Sequence, residues 1–204
     1  MSRRSLTRLA VLCLAVSVIG APAEARKKKA ASTEPGKYTS WGPDIDEIEI
    51  VKPFQAAGYK SIVVVPFDTS EVKLPEKDDN TYEPVQQVLA NPAAPFAKGL
   101  EKSGMKVSVS DQPGKDSETL IIRGKVETMD PGSRAARYFA GFGAGAARAK
   151  VTAEVVDAKS GEVLVRFTQE RRSGVGAAGG GYVDLMNRNL TAIGTDVANI
   201  VGSF

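Results

Sequence analysis

Between Thr119 and Phe167 three stretches alternate apolar and polar residues with a period of two. Leu120, Ile122 and Val126 share one side while Arg123, Lys125 and Glu127 take the other. Val151, Ala153 and Val155 repeat the pattern, and Val163, Val165 and Phe167 repeat it again. This period belongs to strands with one buried and one wet face. The turn sequence Asp157-Ala158-Lys159-Ser160-Gly161 joins the last two as an antiparallel hairpin. A chain with such a segment must build a sheet and find a cover for one side of it.

The cover is written in a different period. From about Tyr182 to Gly202, Met186, Leu190, Ile193, Val197 and Ile200 recur at steps of three or four, with Phe204 beyond them, an apolar helical stripe. A second helical region comes in two pieces: Val85, Val88 and Leu89 supply one stripe. Asn91-Pro92 then restarts the helix, and Ser103-Gly104 ends it after Phe96 and Leu100. Ser61 to Phe67 is a β-branched run that reads as a central buried strand ended by Pro66, and Met105 to Ser110 is a short strand. The order β-α-β-β-β-β-α predicts an α/β (α+β) sandwich, one domain over 45–204 with a mixed four- to five-stranded sheet covered by helices.

Ahead of that domain, Arg3, Arg4 and Arg8 precede an apolar run from Leu9 to Ile19, closed by Ala21-Pro22-Ala23-Glu24-Ala25. The run is half the roughly 20 residues of a membrane span, so residues 1–25 read as an export signal cleaved after Ala25. No transmembrane span is then expected in the mature chain, which would lie in the periplasm or cell envelope. Cys13 sits inside the apolar run with Val11-Leu12 before it, which does not fit a lipid-attachment site. Residues 26–44, rich in Lys, Ala, Ser, Gly and Pro with Tyr38 and Trp41 as their large apolar groups, read as a disordered linker. Asp44, Asp46, Glu47 and Glu49 lack the spacing of a calcium loop and read as a solvated strand end.

Composition narrows the chemistry. The chain has no His and one Cys, and that Cys lies in the leader. Imidazole general bases, thiol nucleophiles and most zinc sites are therefore excluded from the mature protein, and no metal or cofactor is expected. The formal net charge is +3. Losing Arg3, Arg4, Arg8 and Glu24 with the leader brings it to +1, too little for a nucleic-acid binder.

Val63-Val64-Val65-Pro66-Phe67, Gly124-Lys125-Val126, Asp130-Pro131-Gly132-Ser133-Arg134-Ala135-Ala136-Arg137, Gly141-Phe142-Gly143-Ala144-Gly145, Asp157 to Leu164, a glycine-rich loop and a C-terminal helix follow one another over about 58–203. In that order they resemble the bacterial envelope proteins grouped as domain of unknown function 4410. The resemblance implies an exported, often lipoprotein-like protein, and it supplies neither a reaction nor a ligand.

Two loops and one charged rim remain as candidate sites. Gly141, Gly143 and Gly145 lack the Lys-Ser/Thr of a phosphate loop and lead into a strand, so they read as a closely packed connection or a self-association surface. Gly174 to Gly181 reads as a hinge before the last helix. Arg134, Arg137 and Arg148, with Arg171, Arg172 and Asp130 nearby, form a basic rim that suits an anionic polymer or an acidic envelope protein. Local pairing of these arginines with Asp130, Glu154 and Glu170 is the alternative. The expected function is a non-catalytic binding or scaffolding module acting through a partner or through self-association. The other class is a hydrolase or lyase of an envelope polymer that uses carboxylates and Arg, with Asp130 and Glu154 or Glu170 as its candidates.

Overall fold

The computed structural model describes residues 31–42, 44–133, 145–173 and 181–204. Its strands are β1 (Gly36–Trp41), β2 (Ile45–Ile50), β3 (Ser61–Val64), β4 (Lys106–Val109), β5 (Thr119–Asp130), β6 (Ala147–Asp157) and β7 (Val163–Ser173). The helices are α1 (Tyr82–Leu89), α2 (Ala93–Leu100) and α3 (Tyr182–Val201). All strands join one sheet in the order β1-β2-β7-β6-β5-β3-β4. β3 runs parallel to β4 and β5, and the other neighbours are antiparallel.

The sheet thus has seven strands rather than four or five. Part of the difference lies at its first edge, where β1 falls inside the segment expected to be a linker. An edge strand needs only one hydrogen-bonded neighbour and few apolar groups, so its sequence carries little signal. β1 is held by its pairing with β2, by the burial of Trp41 at 5% exposure and by the bond from Trp41 Nε1 to the Ser32 carbonyl at 2.7 Å. In β2 the isoleucines 45, 48 and 50 enter the core, so the segment that reads as a solvated strand end is a full strand with one buried side. β3 departs from expectation in another way. Ile62 and Val64 are fully buried while Ser61 and Val63 are half-buried, because the described helices lie on one face of the sheet.

That covered face holds the core. Leu120, Ile122, Val126, Val151, Val155 and Val165 meet Met186, Leu190, Ile193, Val197 and Ile200 from α3, and Phe96 and Leu100 from α2. α2 and α3 cross so closely that a Cβ on Gly99 would lie 2.0 Å from the Thr191 carbonyl. A Cβ on Gly194 would lie as close to the carbonyl of Phe96. α3 buries more than one stripe, since it packs on the sheet and on α2 together, and Asn189 and Asp196 go in with its apolar residues.

The opposite face is polar. Glu49, Arg166, Glu154 and Arg123 lie in one row across β2, β7, β6 and β5, each directly opposite the next. Ion pairs of 3.2, 2.9 and 3.1 Å join them. This is the alternation of Arg123, Lys125 and Glu127 against Leu120, Ile122 and Val126, now extended over four strands.

Candidate binding cleft

At one end of the sheet β5 and β7 finish, β6 begins, and the first turns of α1 and α3 come together. They enclose a cleft of about 870 Å³ lined by Asp79, Thr81, Asp130, Arg148, Arg172 and Tyr182 among others. Each wall has a local cause. Asp79 caps the approach to α1 by accepting from the backbone N–H and the hydroxyl of Thr81, both at 2.7 Å. Asp130 Oδ1 accepts from the Gly132 N–H at 2.8 Å, closing the Asp-Pro-Gly turn. Gly132 has a φ of +70°, and a Cβ there would stand 2.2 Å from the Gly145 carbonyl. Glycine at that position is required by both conformation and contact.

The second oxygen of Asp130 receives Arg148, with Nε at 3.2 Å and Nη2 at 2.8 Å. This hydrogen bond and the charge behind it raise the Arg148 pKa above its ordinary value. Arg172 lies directly opposite Arg148 in the β6–β7 register and pairs with Glu170 on its own strand at 2.5 Å. Two arginines therefore stand side by side on neighbouring strands at the cleft, one turned to Asp130 and the other to Glu170. Like charges so placed repel, and a carboxylate beside each offsets that. Asn189 braces the same corner from α3: its Nδ2 donates to the Ala147 carbonyl at 2.9 Å and its Oδ1 accepts from Ser173 at 2.5 Å.

Of the residues singled out in the sequence, Asp130, Arg148, Arg172 and Gly145 meet here, Gly145 as a packing partner whose carbonyl accepts from the Ser133 N–H at 3.1 Å. Arg134, Arg137, Gly141, Gly143, most of the Gly174 to Gly181 loop, and Ala25 with the rest of the leader lie outside the described residues. Arg171 does not join the rim. Neighbouring strand residues point to opposite faces, and its side chain turns to the helix side, where Nε meets Asp196 at 2.6 Å. Glu154 belongs to the charged row, held by Arg123 and Arg166, and not to the cleft. Burial works against ionisation of Glu154, yet the hydrogen bonds from Arg166 and Arg123 leave its carboxyl below the usual value of 4.5.

Asp44, Asp46, Glu47 and Glu49 are spread along β2 and its approach. Asp46 accepts from the Glu170 N–H at 2.8 Å, and Glu49 pairs with Lys37 and Arg166. Among the described residues no group of His, Cys, Asp and Glu is placed to hold a metal ion. No described helix is long and apolar enough to cross a membrane. Sequence reading missed Thr81, Tyr182 and Asn189 as cleft or support residues. The one available signal was a polar residue on an apolar stripe, Asn189 three places after Met186 and four before Ile193.

No curated protein matches the chain. Among solved structures it is similar to the PelC dodecamer from Paraburkholderia phytofirmans, at 15% identity over 72% of this chain and 96% of that one, with a TM-score of 0.44. It is similar also to protein XCC0632 from Xanthomonas campestris, at 14% identity over 70% and 86% of the two chains with a TM-score of 0.38. Lipoprotein GNA1162 from Neisseria meningitidis gives 17% identity, coverage of 68% and 98%, and a TM-score of 0.35. None of these likenesses carries a ligand or partner over to this chain. The family described as Domain of unknown function (DUF4410) matches residues 62–178, from β3 through β7, and the chain belongs to that family.

Proposed function

We propose that this protein is an exported, non-catalytic module of the cell envelope that binds an anionic polymer in the cleft at the ends of β5, β6 and β7. The observation that carries the reading is the direct opposition of Arg148 and Arg172 at the cleft mouth. A ligand carboxylate or phosphate placed between them would relieve their repulsion and accept from both. Export rests on the leader, with its three arginines, its short apolar run and the Ala-x-Ala ending at Ala25. Mass spectrometry of the envelope fraction should find a chain that starts at Arg26.

The binding test uses two defined polyanions, a polyuronate and a polyphosphate, titrated against the processed protein. Binding should weaken steeply between low and physiological salt, because charges exposed at a surface are screened beyond about 8 Å there. The double variant Arg148→Gln and Arg172→Gln should lose it while keeping its fold. Equal binding by the folded variant sinks the assignment, and binding of an acidic envelope protein in place of either polymer would change the partner class.

A carboxylate-based hydrolase or lyase is the second reading, because Asp79 and Asp130 share the wall of one cleft. Against it, Asp79 is held by Thr81, and both oxygens of Asp130 are taken by Gly132 and Arg148. Turnover of an envelope polymer that Asp130→Asn abolishes would favour it.

A further inference from the structure

The polar face of the sheet is patterned in a way that the cleft does not explain. Three rows cross the central strands. The first is Glu49, Arg166, Glu154 and Arg123 on β2, β7, β6 and β5. The second, two residues along, is Glu47, Thr168, Thr152 and Lys125. The third is Glu170 and Lys150, with Glu127 reaching Lys150 at 2.9 Å from β5. Acid lies on β2 and base on β5 in both full rows, and β7 and β6 carry opposite charges in the first and third.

We infer that this face pairs with the same face of a second copy of the chain, about a twofold axis that runs along the strands between β6 and β7. Such an axis lays β7 over β6 of the second copy and β2 over β5. Arg166 then meets Glu154, Glu49 meets Arg123, Glu47 meets Lys125 and Glu170 meets Lys150, each with the opposite charge. An axis across the strands, centred on the second row, sets Glu47 on Glu47 and Lys125 on Lys125. The pattern thus selects one symmetry, and the interface is isologous and closes at two copies.

Charge complementarity also selects the occupant. A polyanion laid on this face meets a carboxylate for nearly every cation. A second copy, reversed across the strands, meets its complement at Glu49, Arg166, Glu154, Arg123, Glu47, Lys125, Glu170 and Lys150, while Arg172 and Arg148, one row further along β7 and β6, meet each other. Glu47 is the informative residue, being exposed and without an ion pair among the described residues, while Lys125 is bridged to Glu71 at 2.7 Å. Four strands about 4.8 Å apart and three rows about 6.8 Å apart make a patch of roughly 400 Å² per copy. That is below the roughly 800 Å² per partner of a standard stable interface, so the dimer is weak and depends on concentration.

Sedimentation velocity of the processed full chain, from micromolar to millimolar at low salt, tests the inference. Wild type should dimerise at the upper end of that range and dissociate as salt is added. Glu47→Lys sets lysine against Lys125 twice in each dimer and should weaken association by about tenfold or more, since facing like charges suppress pairing. Lys125→Glu combined with Glu71→Lys keeps the bridge within the chain and should weaken it as much. Mixed one to one, the two variants restore both contacts and should associate as wild type does. A wild type monomeric throughout, a Glu47→Lys protein that dimerises normally, or a mixture no tighter than its components overturns the inference. Arg148 and Arg172 form the next row and face their counterparts as like charges, so Arg148→Gln with Arg172→Gln should leave the dimer as tight or tighter while polymer binding is lost, which separates the two readings.

Discussion

Asp196 sits on the inner side of α3 at 4% exposure and is joined by three donors. Arg171 approaches through Nε and Nη2, and Gln169 donates its Nε2 at 2.9 Å. The same Gln169 amide donates to the Asp44 carbonyl at 2.6 Å and accepts from the Asp46 N–H at 2.9 Å, so one buried carboxylate helps to fix the start of β2 against β7. Asp196→Ala leaves Arg171 with Asp44, at 3.5 Å, as its remaining carboxylate. A fully buried pair broken this way costs about 3–5 kcal/mol. Arg171 keeps 32% of its side chain in water, so we expect about 2 kcal/mol in urea unfolding, with Asp196→Asn recovering part through the Gln169 bond. No change in the alanine variant would mean that the network is ornamental. Charge at these residues also sets the response to acid. Hydrogen bonds from Lys150 and Thr152 outweigh burial and lower the Glu127 carboxyl, as those from Arg166 and Arg123 lower Glu154. A lowered carboxyl adds stability that is present above its ordinary value of 4.5 and lost as pH falls through the lowered one. Burial pushes the Asp196 carboxyl the other way against its donors, and its contribution is present below 3.8 and lost as pH rises through the raised value. Melting temperature should therefore fall on acidification below pH 4.5, and fall more steeply in Asp196→Asn, which lacks the opposing titration. A variant with the shallower acid limb would show that Arg171 outweighs burial there.

Among the elements, the crossing of α2 and α3 is the tightest contact that can be checked by one substitution. Gly99 and Gly194 let the two backbones touch, and the Thr191 hydroxyl donates across to the Pro95 carbonyl at 3.0 Å. Alanine in a helix interior normally gains about 1 kcal/mol over glycine. Here the added methyl at Gly99 meets a carbonyl at 2.0 Å, with backbone on both sides and no flexible side chain to yield. We expect Gly99→Ala and Gly194→Ala to destabilise by about 2–3 kcal/mol net of that gain, as forced overpacking does. A raised melting temperature in either would show that the helices can part freely. Neither glycine stood out in the sequence, because a small residue on a helix announces close packing only when its neighbour is known. The legible elements were those whose period is their own: Leu120, Ile122 and Val126 in β5, Val151 to Val155 in β6, and the stripe of α3. β1 was not legible, since its order comes from hydrogen bonds to β2 and from Trp41, which are tertiary. Half of the candidate rim was readable in the same sense. Asp130 and Arg148 stand at the two ends of one connection, 18 residues apart in sequence, yet the direct opposition of Arg148 and Arg172 depends on a register that Asp157 to Gly161 sets from the far end of the hairpin. That register shifts once, between Val155 and Val156, and no residue type marks the shift.

At the scale of the molecule, the question is whether the β1–β2 hairpin is an appendage or part of the cooperative unit. β2 meets β7 at only four paired positions, Glu47 to Ile50. If those pairs were the whole attachment, the hairpin could detach before the rest unfolds, as weakly held units do. Packing argues otherwise. Trp41, Ile45, Ile48 and Ile50 belong to the same buried cluster as Ile122, Val165 and the α3 residues Ile193 and Val197. The bonds of Gln169 to Asp44 and Asp46 add a second tie at the turn. A shared core and a shared network make one transition the expectation for a domain of this size. The chain has a single tryptophan, and it lies in the hairpin. Trp41 fluorescence therefore reports the hairpin, while far-ultraviolet circular dichroism reports the sheet and helices together. In a urea titration the two midpoints should coincide, and Gln169→Leu, which cuts the tie at the turn and leaves the strand pairing in place, should move the fluorescence midpoint below the dichroism midpoint. Midpoints already separated in wild type would show that the strand pairs carry the attachment alone, and midpoints still together in the variant would give that role to Trp41 and the three isoleucines.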